Sequence, residues 1–117
     1  MNTEVQSGVL LRFTADKRLA AAAGGVARCL ADAAGMEASA AAKLQAATLA
    51  VCIAACAQVA TTSQELSVEV MRFADRIEIT VTHAGPPLVG IAVLPGVDRI
   101  DHESVAAGSV TRLAKAL

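Results

Sequence analysis

The sequence predicts an α/β (α+β) two-layer sandwich, with a mostly antiparallel sheet carrying helices on one face. Three observations carry that expectation. Between Ala20 and Ala60, 19 of 41 residues are Ala, the residue with the best intrinsic helix propensity, and the larger apolar residues among them recur at helical spacing. From Leu44 to Gln64 runs an uncharged stretch of 21 residues, and a helix apolar nearly all round is a buried one. Beyond Thr61-Thr62-Ser63 the apolar spacing drops to two, the signature of half-buried strands.

The elements follow in order. Val9, Leu11 and Phe13 alternate with Leu10 and Arg12 as a short first strand. Thr14 and Asp16 offer N-cap oxygens to a helix from about Lys17 to Ala34, with Gly35 placed to end it. Its apolar stripe is Leu19, Ala23, Val26, Leu30 and Ala33. Ser39 starts a second helix that runs to about Ala60, with Glu37 adding favourable charge near its N-terminus. Leu66, Val68 and Val70 oppose Glu65, Ser67 and Glu69; after Ala74-Asp75-Arg76, Ile77, Ile79 and Val81 oppose Glu78, Thr80 and Thr82. Two such runs joined by a short polar turn form an antiparallel hairpin with one buried face. His83-Ala84-Gly85-Pro86-Pro87 breaks the strand. Leu88–Leu94 reads as another short strand, ended by Pro95-Gly96. Asp101 caps an expected final helix carrying Ala106, Val110, Leu113 and Leu117, which Gly108 weakens by about 1 kcal/mol.

At 117 residues, 1–117 is a single domain that buries about two thirds of its unfolded surface. Net charge is -1 and no basic stripe exists. Only Phe13 and Phe73 are aromatic, which argues against base stacking and nucleic-acid binding. Gln45, Thr48, Gln58, Thr61, Thr62 and Gln64 interrupt the uncharged run, and no flanking Lys/Arg cluster or Trp/Tyr belt marks a membrane span. Polar Met1–Gly8, with Glu4 inside it, is unlike a signal peptide. Cys29, Cys52 and Cys56 read as buried thiols in a reducing cytoplasm; two cysteines four apart supply only half a metal site. No metal ligand set is expected.

The order strand, helix, helix, hairpin, Gly turn, final helix resembles the ATPase domain of the GHKL superfamily (the histidine kinase-like ATPase fold), and within it the bacterial anti-sigma-factor serine kinases. Phe13-Thr14-Ala15-Asp16, Leu49-Ala50-Val51, Ile53-Ala54, Ala57, and Phe73-Ala74-Asp75-Arg76-Ile77-Glu78-Ile79 carry the likeness, and His83-Ala84-Gly85 falls where the family has Asp-x-Gly. It covers about residues 9–87 well and the rest loosely.

In that family the second helix carries Glu-Ala-x-x-Asn: the Glu activates a water or acts as base, and the Asn holds the Mg²⁺ that bridges the phosphates. The resemblance puts Ile53 at the Glu and Ala57 at the Asn. An aliphatic group accepts no proton, and a methyl cannot ligate a cation that demands oxygen. Gln58 is rotated about 100° from the Asn position. His83 replaces the adenine-binding Asp, only Gly85 of the following glycines matches, and the phosphate-cradling Gly-x-Gly is reduced to Gly108 in Ala107-Gly108-Ser109. From Pro87 to Asp101 there is too little chain for a usual ATP lid.

Other candidates are weaker. His83 titrates near neutral pH but lacks a carboxylate or nucleophile at a recognisable spacing, so it reads as a surface or strand-capping residue. His102, between Asp101 and Glu103, reads as a helix N-terminal residue. Ser39, Ser63, Ser67, Asp98 and Asp101 sit in no nucleophile or paired-carboxylate context, and nothing singles out Ser104 or Ser109 for phosphorylation. Gly85-Pro86-Pro87 is a stiff turn.

The expected function is therefore that of a non-catalytic, cytoplasmic regulator acting by protein–protein contact, with no catalytic residue and no cofactor. By resemblance its partner is a sigma factor, an anti-sigma antagonist or a second copy, with the first helix or a sheet edge as the contact surface. The alternatives are a divergent serine kinase binding ATP and Mg²⁺ through Gln58, His83 and Gly85, and a module for a small apolar ligand lined by Ile53, Ala57 and Val81.

Overall fold

A computed structural model describes residues 4–59 and 64–117. The elements run β1 (Ser7–Thr14), α1 (Lys17–Ala33), α2 (Ala38–Gln58), β2 (Glu65–Arg72), β3 (Arg76–His83), β4 (Arg99–Val105) and β5 (Gly108–Ala116). The strands form one sheet in the order β1-β2-β3-β5-β4, every neighbouring pair antiparallel. Both helices pack on one face of it, which gives the two layers the sequence predicts.

Alternation sets the faces. Leu66, Val68 and Val70 are fully buried, and the register sets Val68 against Val81, Val70 against Ile79, and Ile79 against Leu113. These residues meet the helices, while Ser67, Glu69, Thr80, Thr82 and Arg112 lie on the opposite, uncovered face.

The helical layer is thin because it is built from small residues. Ala20, Ala23, Ala27, Ala31 and Ala41 have no exposed surface. At Gly24 an added Cβ would lie 3.2 Å from the Gln45 carbonyl oxygen, so α1 and α2 meet nearly backbone to backbone there. Asp16 caps α1 by accepting from the Arg18 amide at 2.9 Å. Gly35, at φ +82°, closes it: its amide donates to Asp32 O at 3.1 Å and that of Met36 to Ala31 O at 3.0 Å, a Schellman arrangement. Ser39 is not the cap of α2. The helix begins at Ala38, Glu37 occupies the cap position, and the Ser39 hydroxyl donates to the Glu37 carboxylate at 2.7 Å. Val59 is already extended, so α2 ends at Gln58; the expected end at Ala60 and the Thr61–Ser63 connection lie outside the described residues. By length and apolar composition α2 would suit a membrane span, but eight of its residues are buried within this globule.

The last third of the chain departs from the sequence expectation. Residues 101–117 form no helix; β4 and β5 make a hairpin whose closing pair is Val105 and Gly108. Ala106, Val110, Leu113 and Leu117 do recur at helical spacing, but Ser109, Thr111 and Leu113 also alternate as a strand. The exposed, unpaired side of β3 is available to complete the ladder, and non-local pairing overrides the weak local preference. Leu88–Leu94 is not a strand either. Residues 84–98 form an irregular segment in the helical layer, with Leu88 6% exposed inside the core and Ile91, Leu94 and Val97 packed against it.

Candidate functional site

The residues that the sequence reading gathers around a nucleotide lie along one flank of α2 and the end of β3. Lys43, Ala46, Ala50, Ile53 and Ala57 recur at steps of three and four, so they form one stripe of α2. Its N-terminal half borders the 84–98 segment: Lys43, Ala46, Ala47, Ala50, Leu94 and Pro95 line an apolar cavity of about 150 Å³. At Gly96, φ +89°, an added Cβ would come within 2.7 Å of the Lys43 carbonyl carbon. Only a glycine lets the segment press this closely on the helix. Further along the stripe Ile53 is half-buried and Ala57 exposed.

At the C-terminal end of α2 the three remaining candidates do come together. Gly85, φ +93°, lies so close to the helix end that an added Cβ would be 2.8 Å from the Gln58 carbonyl oxygen. His83 ends β3 immediately before it. The contacts are made by backbone, and each has a structural purpose. Ser109, fully buried and opposite His83 in the ladder, donates from its hydroxyl to Gly85 O at 2.8 Å. Gly108, at φ +150°, sits where any Cβ would collide with His83 O.

Of the two roles expected for His83, surface or strand-capping, the structure puts it at the end of β3 but not at the surface. It is 2% exposed, its Nδ1 donates to Ala84 O at 2.8 Å, and its buried Nε2 has no hydrogen-bond partner among the described residues. With the proton on Nδ1, Nε2 is an acceptor left unsatisfied, at a cost of about 1–3 kcal/mol. His83 also borders a wider open cleft of about 450 Å³ at the end of the sheet, with Arg12, Glu65, Ser67 and Thr82.

His102 is likewise not at a helix start. It stands on β4 on the helix side of the sheet, Nε2 donating to Ile91 O at 2.5 Å and Nδ1 accepting from the Thr111 hydroxyl at 2.9 Å. It ties the irregular segment to the sheet. Gly108 belongs to a hairpin, not to the start of a helix that could cradle phosphate. Val81 is fully buried while Ala57 is exposed, and none of the cavities described among these residues is lined by Ile53, Ala57 and Val81 together.

Charge is confined to the periphery. Arg76 bridges Glu78 at 2.6 Å and Asp75 at 2.7 Å, hydrogen bonds that raise its pKa, and it stacks over Phe73. The Ala116 amide donates to Asp98 at 2.6 Å and, helped by Lys115, holds that carboxyl below the usual range. On the helices, burial pushes the Cys52 thiol up to about 12 and raises that of Cys56, so neither is a nucleophile at neutral pH. Among the described residues no group of three His, Cys, Asp or Glu side chains is placed to hold a metal.

Sequence reasoning picked out Ile53 and Ala57 through the resemblance, but not the stripe they share with Lys43, Ala46 and Ala50, nor its neighbours across the gap. Gly96 and Ser109 gave no local signal, because their importance depends on segments far away in the chain. No protein-family model matches this chain, and no curated protein matches it.

Proposed function

We propose that this protein is a non-catalytic regulator that acts by protein–protein contact, a histidine kinase-like ATPase domain of the anti-sigma serine kinase type whose ATP site has been lost and whose lid is truncated. The observation that carries the reading is the α2 stripe. By the resemblance, Ile53 and Ala57 take the places of the family's acid and Mg²⁺-holding amide, and neither side chain supports that chemistry. The proposed setting is the cytoplasm. The proposed partner is a sigma factor or an anti-sigma antagonist, with a second copy forming a homodimer.

Isothermal titration calorimetry with ATP and Mg²⁺ tests the reading. No heat of binding at millimolar nucleotide is expected; micromolar affinity overturns it. Affinity capture from the native cell should then recover a sigma factor or its antagonist.

One observation favours a second reading, a divergent ATP-dependent serine kinase. Gln58, His83 and Gly85 are neighbours at one end of α2, and His83 keeps an unsatisfied nitrogen there. Micromolar ATP binding abolished by His83→Ala would select it.

A further inference from the structure

The ladder between β2 and β3 ends early. β1 pairs with β2 as far as Thr14 and Glu65, and β3 with β5 as far as His83 and Ser109, but β2 and β3 part after Ser67 and Thr82. Hydrogen-bond alternation identifies what is left over. The Phe73 amide donates to Arg76 O at 2.8 Å, so Met71–Glu78, Glu69–Thr80 and Ser67–Thr82 are hydrogen-bonded pairs and Glu65–Ala84 would be the next. That pair is not made. Ala84 O accepts from His83 Nδ1 instead. The Glu65 amide, Glu65 O and the Ala84 amide have no backbone partner among the described residues.

Both banks of this gap are held. On one side the Ala15 amide donates to Gln64 O at 2.9 Å. On the other Ser109 donates to Gly85 O, and Gly108 packs against Ala84. Backbone groups inside a sheet ordinarily pair, so fixed strands that leave them free offer them to a ligand.

The gap opens into the cleft of about 450 Å³, a volume usual for small-molecule sites. Arg12, Ser67 and Thr82 stand side by side across β1, β2 and β3 on the uncovered face. Glu65 is the diagonal neighbour of Arg12, about 7–8 Å away. Arg76, Arg99 and Arg112 on this face each hold a carboxylate, but Arg12 and Glu65 have no ion-pair partner among the described residues. One cation, one anion, two hydroxyls and free backbone groups thus converge, with Ala84 and Ala107 as the apolar part of the lining.

We propose that this cleft binds a free α-amino acid with a small aliphatic side chain. Its carboxylate takes the Arg12 guanidinium and the Ser67 and Thr82 hydroxyls, and its ammonium takes the Glu65 carboxylate and Glu65 O. Its side chain lies against Ala84 and Ala107. A ligand of negative charge alone would meet Glu65, and one of positive charge alone would meet Arg12. No aromatic residue lines the cleft, so no ring stacks there. This binding goes beyond the regulator reading and does not rest on it: Arg12, Ser67 and Thr82 lie on the face opposite α2, so the ATP titration tests a different surface.

Amide NMR spectra of the purified chain, titrated with L-leucine, L-valine and L-alanine to about 10 mM, test it; a Kd of about 0.1 mM is expected for the best of the three. Saturable shifts should appear at Glu65, Ser67, Thr82 and Ala84. The two analogues 4-methylpentanoate, which lacks the ammonium, and 3-methylbutylamine, which lacks the carboxylate, should each bind at least tenfold more weakly than L-leucine. Arg12→Gln and Glu65→Gln, both at exposed positions, should each weaken binding at least tenfold with unchanged circular dichroism. No saturable shift with any of the three amino acids, either analogue binding as well as L-leucine, or full affinity in both variants each overturns the proposal.

Discussion

Replacing Gly108 with Ala distinguishes two structures for the end of the chain by the sign of its effect. Were residues 101–117 helical, the change would remove a glycine from a helix interior and stabilise the protein by about 1 kcal/mol. In the β4–β5 hairpin it does the reverse. Gly108 has φ +150°, and an added Cβ would lie 2.9 Å from Ala84 Cα and closer still to His83 O. Both obstacles are backbone atoms, so no side-chain rotation relieves the clash. Holding a non-glycine residue at such a dihedral costs about 1–3 kcal/mol, and forcing a methyl into a packed site about 1–3 kcal/mol more.

The expected destabilisation is therefore about 2–6 kcal/mol, a large part of the stability of a domain this size. Urea unfolding followed by far-UV circular dichroism measures it, the midpoint falling while the slope stays constant. A neutral or stabilising Gly108→Ala would refute both the hairpin and the close packing of its turn against β3.

Two further outcomes concern ionisable groups. Cys29, exposed and not buried as the sequence suggests, should react with a thiol reagent in the native state while Cys52 reacts only on unfolding. With the Cys52 pKa near 12 in the fold and near 8.5 unfolded, its contribution is intact at neutral pH. It is lost as pH rises above about 8.5, at up to about 1.4 kcal/mol per pH unit, visible as a falling urea midpoint. Asp98 has the opposite sign. Its lowered pKa favours the fold above the ordinary carboxylate range and ceases to do so as pH falls below about 4. The stability difference between wild type and Asp98→Asn should vanish there, and amide exchange at Ala116 should be faster in the variant.

What could be read from the sequence was whatever short-range chemistry decides. Asp16 and Gly35 bound α1 because a carboxylate caps and a glycine takes positive φ wherever they occur. The β2–β3 hairpin was evident because Leu66, Val68 and Val70, and then Ile77, Ile79 and Val81, alternate with polar residues on either side of a polar turn. The β4–β5 hairpin was hidden because Ala106, Val110, Leu113 and Leu117 satisfy a helical period by coincidence, and the partner that makes residues 108–116 a strand is β3, some thirty residues earlier. His83 illustrates the same limit at the candidate site. Its position at a strand end was legible, but its burial was not, since the close packing of Gly85, Gly108 and Ser109 at this corner of the fold joins segments far apart in the chain.

Under the proposed loss of nucleotide binding, exclusion by missing ligands can be separated from exclusion by a filled site. To open the gap beside α2, Leu88 must leave the core, at about 1.5–3 kcal/mol, and the His102 bond to Ile91 O must break, at about 0.5–1.5 kcal/mol. Together these cost about 2–4.5 kcal/mol, enough to weaken any intrinsic affinity by roughly 30- to 2,000-fold. Leu88→Ala combined with His102→Ala removes most of that barrier while leaving Ile53 and Ala57 in place. If the doubly substituted protein, shown to be folded by circular dichroism, still takes up no Mg·ATP at millimolar concentration, the absent carboxylate and amide are sufficient cause. If it binds at tens of micromolar, the packed segment is the block, and the proposed regulator is better described as a nucleotide site held shut.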